Sequence, residues 1–296
     1  MQLIIEAIGF GIATGAVIAL GAVGFSVQFG ISNILNITYG ALMTLSAYIG
    51  LMLINRGINA WATLAISAVA VGAVSVIYHR ILLAPLVRRG TRAIAMIIVT
   101  VSAGTILQYV IVAIAGPSSQ SYGEQSGQTF HFLDLTLSFG QVTIIVLTAV
   151  LMLGLHLLLT RTTLGKAMRA TSSNRTLARS CGIATSRISD IAWFISGCLC
   201  GAAGVALAIT TVSFDFSLGA LFLIPMVAAA VLGGIGQPYG AMLGGMIIGI
   251  SSEVAAAVSN PNYKDVVAFV ILIIVLLVRP RGLFGAAWSS RRLMEG

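Results

Sequence analysis

The run AIAMIIVTVSAGTILQYVIVAIA, residues 93–115, decides the class of fold. It contains no charged residue, and a helix of about 20 apolar residues is long enough to cross the hydrocarbon core of a bilayer. Similar runs recur along the chain without the ten-residue alternation of barrel strands, so they predict helices. Because the bilayer core holds no water, each run must satisfy its backbone polar groups within its own helix.

The composition supports the same class of protein. Hydrophobic residues make up 58% of the 296 positions and charged residues only 8%, whereas about a quarter of the residues in a soluble domain are charged. We therefore predict an all-α polytopic membrane protein, a single transmembrane domain over residues 1–296 with about nine spans, in a range of about eight to ten. The predicted spans are residues 3–27, 38–55, 60–79, 93–115, 141–160, 190–211, 219–235, 241–259 and 265–278.

The basic residues lie in three short segments. Most of the 16 Lys and Arg fall in residues 80–92, 161–187 and 279–292, whereas the long connector 116–140 has acidic residues but no Lys or Arg. Cytoplasmic loops of membrane proteins are enriched in Lys and Arg. This placement predicts an external loop over 116–140, an N-terminus outside and a C-terminus in the cytoplasm. The net charge of +8 thus indicates topology and not binding to nucleic acid.

Glycines at four-residue spacing predict close packing of the spans. Small residues at this spacing let helix backbones approach each other in lipid, where packing replaces the hydrophobic driving force. The spacing indicates a compact bundle of helices. The pairs are Gly11 with Gly15, Gly236 with Gly240, Gly240 with Gly244, and Gly245 with Gly249.

Two regions share a plan of helix, polar break and second helix. They are residues 9–55 and residues 197–250, where the second break falls at 210–215. The polar residues of the first break are Gln28, Ser32, Asn33 and Asn36. By the charge pattern the two regions enter the membrane from opposite sides, which predicts an inverted repeat with broken helices beside a solute pathway.

Polar residues near the first break are candidates for the lining of that pathway. Polar groups inside a membrane are costly, so they indicate function by default. The alternative is that they only satisfy the backbone of a broken helix. The pathway candidates are Ser32, Asn33, Asn36 and Tyr39.

The connector over residues 161–189 is too polar to span a membrane. Its sequence predicts a short helix from about Asn174 to Cys181, with Ser173 as the N-cap and Gly182 at the C-terminal stop. On this helix Leu177 and Cys181 share one face, because residues four apart are neighbours on a helix surface.

Arg175 and Arg179 share a second face of the same helix. A short helix with a small apolar face and a basic face suits docking into a groove on a partner protein. The alternative is a solvated basic loop that only sets the topology.

The sequence offers few candidates for metal-binding or catalytic side chains. The three cysteines, Cys181, Cys198 and Cys200, have no His or carboxylate at ligand spacing and are interpreted as small apolar residues, so no metal site is predicted. No span pairs a nucleophile motif with a base at matching depth, so we predict no catalytic residues and disfavour an intramembrane hydrolase.

Two acidic residues lie within the predicted spans. Glu253 is either a proton relay, which would indicate an ion-coupled secondary transporter, or a residue that reaches the headgroup region. Asp190 follows Arg187 by three residues, a spacing that predicts a local ion pair.

Three ordered blocks of sequence carry a resemblance to a known family. The second block is residues 229–245, rich in Gly and Ala, and the third is residues 263–285, from Tyr263-Lys264-Asp265 to the basic Arg279-Pro280-Arg281. The first block is the connector, whose matching residues are Gly165, Lys166, Arg169, Ala170, Asn174, Ala178, Arg179, Gly182 and Ile183. Over nearly its whole length the chain resembles the membrane subunits of branched-chain amino acid ABC importers, within a permease group that also serves sugars and urea.

The resemblance implies a set of partners. A second permease subunit, usually a different chain, would complete the pathway in the lipid of a bacterial inner membrane, and an external solute-binding protein would deliver the solute. Two cytoplasmic ATPase subunits would bind ATP and Mg, whereas this chain would bind no cofactor because Gly165-Lys166 lacks the rest of a phosphate-binding loop.

The resemblance also implies that the connector 161–189 is the coupling segment, which docks on the ATPase and transmits its closure. The implied coupling residues are Gly165, Lys166, Arg169, Asn174, Arg175, Leu177, Ala178, Arg179 and Gly182.

The stretch after the first span departs from the family pattern. Tyr39 stands where these permeases commonly have a histidine, and an acidic residue often found soon after is missing. The implied solute is therefore a branched-chain or related amino acid, with urea, amides or another small polar solute as the alternative.

Overall fold

The computed structural model describes residues 2–122, 129–132, 135–211, 213–258, 263–279 and 282–283. The acidic residues Glu124 and Asp134 of the long connector, and the basic tail beyond Arg279, lie outside the described residues.

Helices dominate the described part of the chain. The longer ones are α1 Gln2–Ser32, α2 Thr38–Ile54, α3 Ala60–Tyr78, α5 Ala93–Ala115, α6 Phe139–Arg161, α9 Thr185–Thr210, α10 Leu218–Gly233, α11 Pro238–Val258 and α12 Lys264–Val278. The shorter ones are α4 Ala84–Arg88, α7 Thr163–Ser173 and α8 Arg175–Ser180, and a π-helical turn, His79–Leu83, joins α3 to α4. Strands β1 Thr129–Phe132 and β2 Leu135–Ser138 pair antiparallel, with Thr129 opposite Ser138.

The predicted all-α polytopic membrane fold is confirmed. In the part of the chain that the structure describes, six helical stretches are long and apolar enough to cross a membrane, and three shorter apolar helices, Thr38–Ile54, Leu218–Gly233 and Val266–Val278, accompany them. These nine helices fall on the nine predicted spans, with ends that differ by a few residues.

The first predicted span ends too early, and the polar break is shorter than predicted. Helix α1 runs to Ser32, so Gln28 and Ser32 lie on the helix, and only residues 33–37 separate α1 from α2. Ser32 Oγ donates a hydrogen bond to the Gln28 carbonyl at 2.7 Å. A serine that bonds back to the preceding turn is satisfied inside a helix, which is why it does not end α1.

The connector 116–140 contains the β1–β2 hairpin, which the sequence analysis did not predict. Upstream of it, the backbones of Gln120 and Phe214 form an isolated antiparallel bridge, with N–O distances of 2.8 and 2.9 Å. Tyr122 donates a hydrogen bond from its hydroxyl to the Ala47 carbonyl at 2.6 Å, and burial raises its pKa. The connector is therefore tied to both α2 and the α9–α10 break.

The chain divides into two compact units, each described by itself; the predicted single domain over 1–296 and the inverted repeat stay predictions. The first unit comprises residues 1–26, 123–148 and 221–296. In it α1 packs on α11 through glycines, because a Cβ on Gly15 would lie 3.2 Å from Met246 Cα and one on Gly249 would overlap Gly15. Glycine permits this close backbone contact, as the four-residue spacing predicts.

The second unit comprises residues 27–122 and 149–220. Helix α9 is central to it, because its small residues let α3 and α2 approach on two sides. A Cβ on Gly201 would lie 2.8 Å from Ala68 Cα of α3, and one on Gly204 would overlap the Met43 carbonyl of α2. Trp193 of α9 is fully buried in this unit.

Candidate functional site

The connector between α6 and α9 folds as two short helices. Thr162 caps α7, because its hydroxyl accepts a hydrogen bond from the Gly165 amide at 3.0 Å. Asn174 caps α8, because its side-chain oxygen accepts from the Leu177 amide at 3.0 Å. The predicted N-cap, Ser173, is therefore wrong: Ser173 is the last residue of α7, a helix that the sequence analysis did not predict.

The predicted end of α8 is confirmed. Gly182 adopts a φ of 82°, and its amide donates to the Arg179 carbonyl at 3.0 Å. The next amide, of Ile183, reaches back to the Ala178 carbonyl at 3.0 Å. This is the pattern of a helix that ends on a left-handed residue, a conformation that favours glycine.

Two of the predicted coupling residues hold α7 against the end of α6. A Cβ on Gly165 would overlap the carbonyl oxygens of Leu158 and Leu159, and Arg169 donates a hydrogen bond to the same Leu159 carbonyl. The last carbonyls of a helix lack intrahelical partners and carry a partial negative charge, so a cation is favourable there. Gly165 and Arg169 therefore position the segment.

The remaining predicted coupling residues divide by exposure. Ala178 is buried, whereas Lys166, Asn174, Arg179 and Gly182 are exposed. Leu177 is 60% exposed. The exposed Cys181 follows it by one turn, so the apolar face predicted from the sequence lies at the surface of this unit.

The basic face of α8 lies against a cleft of about 1270 Å³ within the second unit. Arg175 and Arg179 line it, together with Ser32 from the end of α1. Arg175 Nη2 donates to Ser189 Oγ at 3.2 Å. Burial, and then the nearby charge of Arg179, lowers the pKa of Arg175.

Asp190 links α9 to the π-helical turn. Its Oδ2 accepts from Arg80 Nε at 2.9 Å and from Arg80 Nη2 at 2.8 Å, and its Oδ1 lies 3.1 Å from His79 Nδ1. The His79 ring stacks on Trp193 with 4.8 Å between the ring centroids. The predicted local pair of Asp190 with Arg187 is wrong, because the packing of α3 on α9 brings a different arginine to this carboxylate.

The structure separates the predicted pathway candidates. Ser32 lines the cleft, and Asn33 is exposed with a φ of 54°. Asn36 and Tyr39 are buried, and Tyr39 donates its hydroxyl hydrogen to the Ser196 carbonyl at 3.3 Å.

A buried polar cluster forms around Asn36. Gln28 Oε1 accepts from Asn36 Nδ2 at 3.4 Å and from Ser196 Oγ at 3.2 Å. Among the described residues, Gln28 Nε2 and Asn36 Oδ1 have no partner within hydrogen-bond distance. Buried polar groups of this kind normally have a partner, so the cluster leaves one donor group and one acceptor unused.

Glu253 of α11 is paired. Its Oε1 accepts from Lys264 Nζ at 2.7 Å and from Thr14 Oγ1 at 3.0 Å, and its side chain is 14% exposed. A carboxylate held by a lysine and a hydroxyl favours a structural link in the first unit over a proton relay. The described residues include no group of three or more His, Cys, Asp or Glu that could hold a metal ion.

Apolar spans joined by a folded polar connector define a polytopic membrane protein. Residues 7–276 match the family model described as branched-chain amino acid transport system / permease component. The chain therefore belongs to this family, and its members are transport subunits.

Similar proteins cover nearly the whole chain. It is 30% identical to the high-affinity branched-chain amino acid transport system permease protein BraD of Pseudomonas aeruginosa, over 93% of this chain and 94% of that protein. It is 32% identical to the probable branched-chain amino acid transport permease protein LivH of Methanocaldococcus jannaschii, over 94% of this chain and 92% of that protein. A third relative, the permease protein LivM of Salmonella typhimurium, is 26% identical over 92% of this chain and 69% of that protein.

Among solved structures, PsaBC from Streptococcus pneumoniae aligns over 96% of this chain and 92% of that chain at 16% identity. The TM-score of this alignment is 0.47.

Proposed function

We propose that this chain is one membrane subunit of an ATP-driven importer for branched-chain or related amino acids. The observation that carries the proposal is the connector: two capped helices that match the family pattern and present Leu177 at 60% exposure. BraD and LivH are named as branched-chain amino acid permeases, which supports this solute class.

The coupling role rests on how the connector is built. Gly165 and Arg169 fix α7 on the end of α6, and α8 follows with its apolar face exposed. An apolar side chain on a rigid, exposed helix suits a groove on a partner protein. Closure of an ATPase pair would move this segment, and α9, which begins at Thr185, would carry that displacement into the second unit.

The partners follow from the same proposal. Two cytoplasmic ATPase subunits hold ATP and Mg, an external binding protein delivers the solute, and a second permease subunit completes the pathway. The chain's likeness to LivM as well as to LivH supports a membrane part built from two related chains. The N-terminus then lies outside and the C-terminus in the cytoplasm, as positive-inside placement requires.

The pathway role of the residues near the first break belongs to the proposal as well. The unpaired Gln28 amide nitrogen and Asn36 amide oxygen can bind the polar groups of an amino acid as its hydration is lost. The same pair suits an amide or urea, so solute choice is decided by uptake measurements with each of these solutes.

The coupling proposal is tested by a matched pair of variants. Leu177→Asp places a charge on the exposed apolar position, whereas Thr176→Asp adds the same charge at the neighbouring exposed position of α8. In the complete importer reconstituted in liposomes, we expect Leu177→Asp to lower solute-stimulated ATP hydrolysis by about tenfold or more, since an interface anchor contributes about 2 kcal/mol. Equal hydrolysis rates for the wild type and both variants would contradict the coupling role.

A further inference from the structure

The cleft in the second unit carries a positive charge that the described residues neutralise only in part. Among the described residues that line it are five arginines and a single carboxylate, that of Asp190. Asp190 is already paired with Arg80. The other lining arginines are Arg88, Arg89, Arg175 and Arg179.

The guanidinium of Arg175 has no acidic partner among the described residues. The ion pairs there involve only the carboxylates of Asp190 and Glu253, and neither pairs with Arg175. Its guanidinium is partly buried and donates to a neutral hydroxyl, that of Ser189. A partly buried cation beside further cations is stabilised by an anion.

The walls of the cleft are amphipathic. Beside the arginines they include Ile34, Pro85 and Val87, which lie at or near the ends of spans. Ile81, in the π-helical turn next to Arg80, is 73% exposed. Arginines beside apolar residues at a span end match a phospholipid, whose phosphate lies at the membrane surface and whose acyl chains enter the apolar core.

We infer that this cleft binds the phosphodiester headgroup of an anionic phospholipid. The arginines of α4 and α8 contact the phosphate, and the apolar wall contacts the start of the acyl chains. A phospholipid would contact both the arginines and the apolar wall, whereas an acidic segment of a protein partner would contact chiefly the arginines. The inference does not depend on the solute that the chain transports.

The consequence is that lipid and connector are coupled. The headgroup bridges Arg88 and Arg89, which follow the π-helical turn, to Arg175 and Arg179 of α8. A bound anion therefore holds the connector against the end of α4, and its loss frees α8 from α4. Anionic lipid is thus a ligand that biases the position of the connector.

The test uses the purified full chain and short-chain lipids. Native mass spectrometry measures retention of dioctanoyl phosphatidylglycerol, with dioctanoyl phosphatidylcholine and inorganic phosphate as separate probes. The Arg88→Gln/Arg89→Gln variant removes two charges from the cleft. The Arg92→Gln/Arg187→Gln control removes two exposed charges that do not line it.

We expect phosphatidylglycerol to bind the cleft variant about 25-fold more weakly than the wild type, at about fivefold for each arginine near a membrane surface. The control variant and the wild type should bind it equally, and phosphatidylcholine should bind weakly to all three. If the double variant has a changed thermal midpoint, Arg179→Gln replaces it. We expect this single change to weaken phosphatidylglycerol binding by about fivefold.

Three results would overturn the inference. Equal retention of phosphatidylglycerol by the cleft and control variants would exclude the cleft as its site. Displacement of the lipid by inorganic phosphate at equal concentration would assign the cleft to free phosphate. A cleft variant that keeps its lipid but binds the ATPase subunits more weakly would assign the arginines to a protein partner.

Discussion

At the scale of single residues, a few positions decide how the connector is held. Gly182 shows this most clearly. Its φ is 82°, and a Cβ added there would meet no atom within 4 Å, so a side chain at this position would cause backbone strain without steric overlap. The sequence alone predicts this glycine as a stop, since glycine at the end of a short polar helix is common. It does not predict the roles of Gly165 and Arg169, because their partners are the carbonyls at the end of α6.

Gly182→Ala should loosen α8. A left-handed conformation costs a residue with a Cβ about 1 to 2 kcal/mol, so the amides of Cys181 and Ile183 should exchange with solvent roughly 5 to 30 times faster. Hydrogen exchange followed by mass spectrometry measures this. Gly154→Ala is the control, because Gly154 lies inside α6 with no atom within 4 Å of an added Cβ. Unchanged exchange in Gly182→Ala would contradict the account of this helix end.

Among the elements, the apolar runs are predicted well, whereas of the two polar helices of the connector α8 is predicted and α7 is not. The spans follow from length and hydropathy, which act locally. Helix α7 was missed because its stability depends on contacts with α6, and no apolar run marks it. The Asp190 link was missed for a related reason: its partner Arg80 lies 110 residues away in the sequence, so only the packing of α3 on α9 reveals it.

Asp190→Asn should separate the π-helical turn from α9. The change keeps the shape of the side chain but removes the charge that holds Arg80 and His79. Hydrogen bonds to a charged group are stronger than those to a neutral one, so the thermal midpoint in detergent should fall by a few degrees. Arg187→Gln is the control, since Arg187 is exposed and does not hold this carboxylate. An equal fall of the thermal midpoint in Arg187→Gln would contradict this account and support a pair between Asp190 and Arg187.

At the scale of the whole molecule, the predicted direction of insertion can be read from a native cysteine. Cys181 is exposed in the connector, whereas Cys198 is half-buried and Cys200 is buried within α9. A membrane-impermeant maleimide should therefore label Cys181 in inside-out vesicles and leave intact spheroplasts unlabelled. Cys181→Ser should lose the signal and identify the site. Labelling of Cys181 in intact spheroplasts would contradict the predicted topology and place the connector outside the cell.

We expect this chain to move its solute only as the membrane part of an ATP-driven importer. The direct measurement is uptake of radiolabelled leucine into proteoliposomes, with the chain alone under a proton or sodium gradient, and with its permease, ATPase and binding-protein partners and ATP. We predict uptake only in the complete, ATP-supplied assembly, because Glu253 is held by Lys264 and Thr14 and is not a free relay. Gradient-driven uptake by the chain alone, without ATP, would contradict the account.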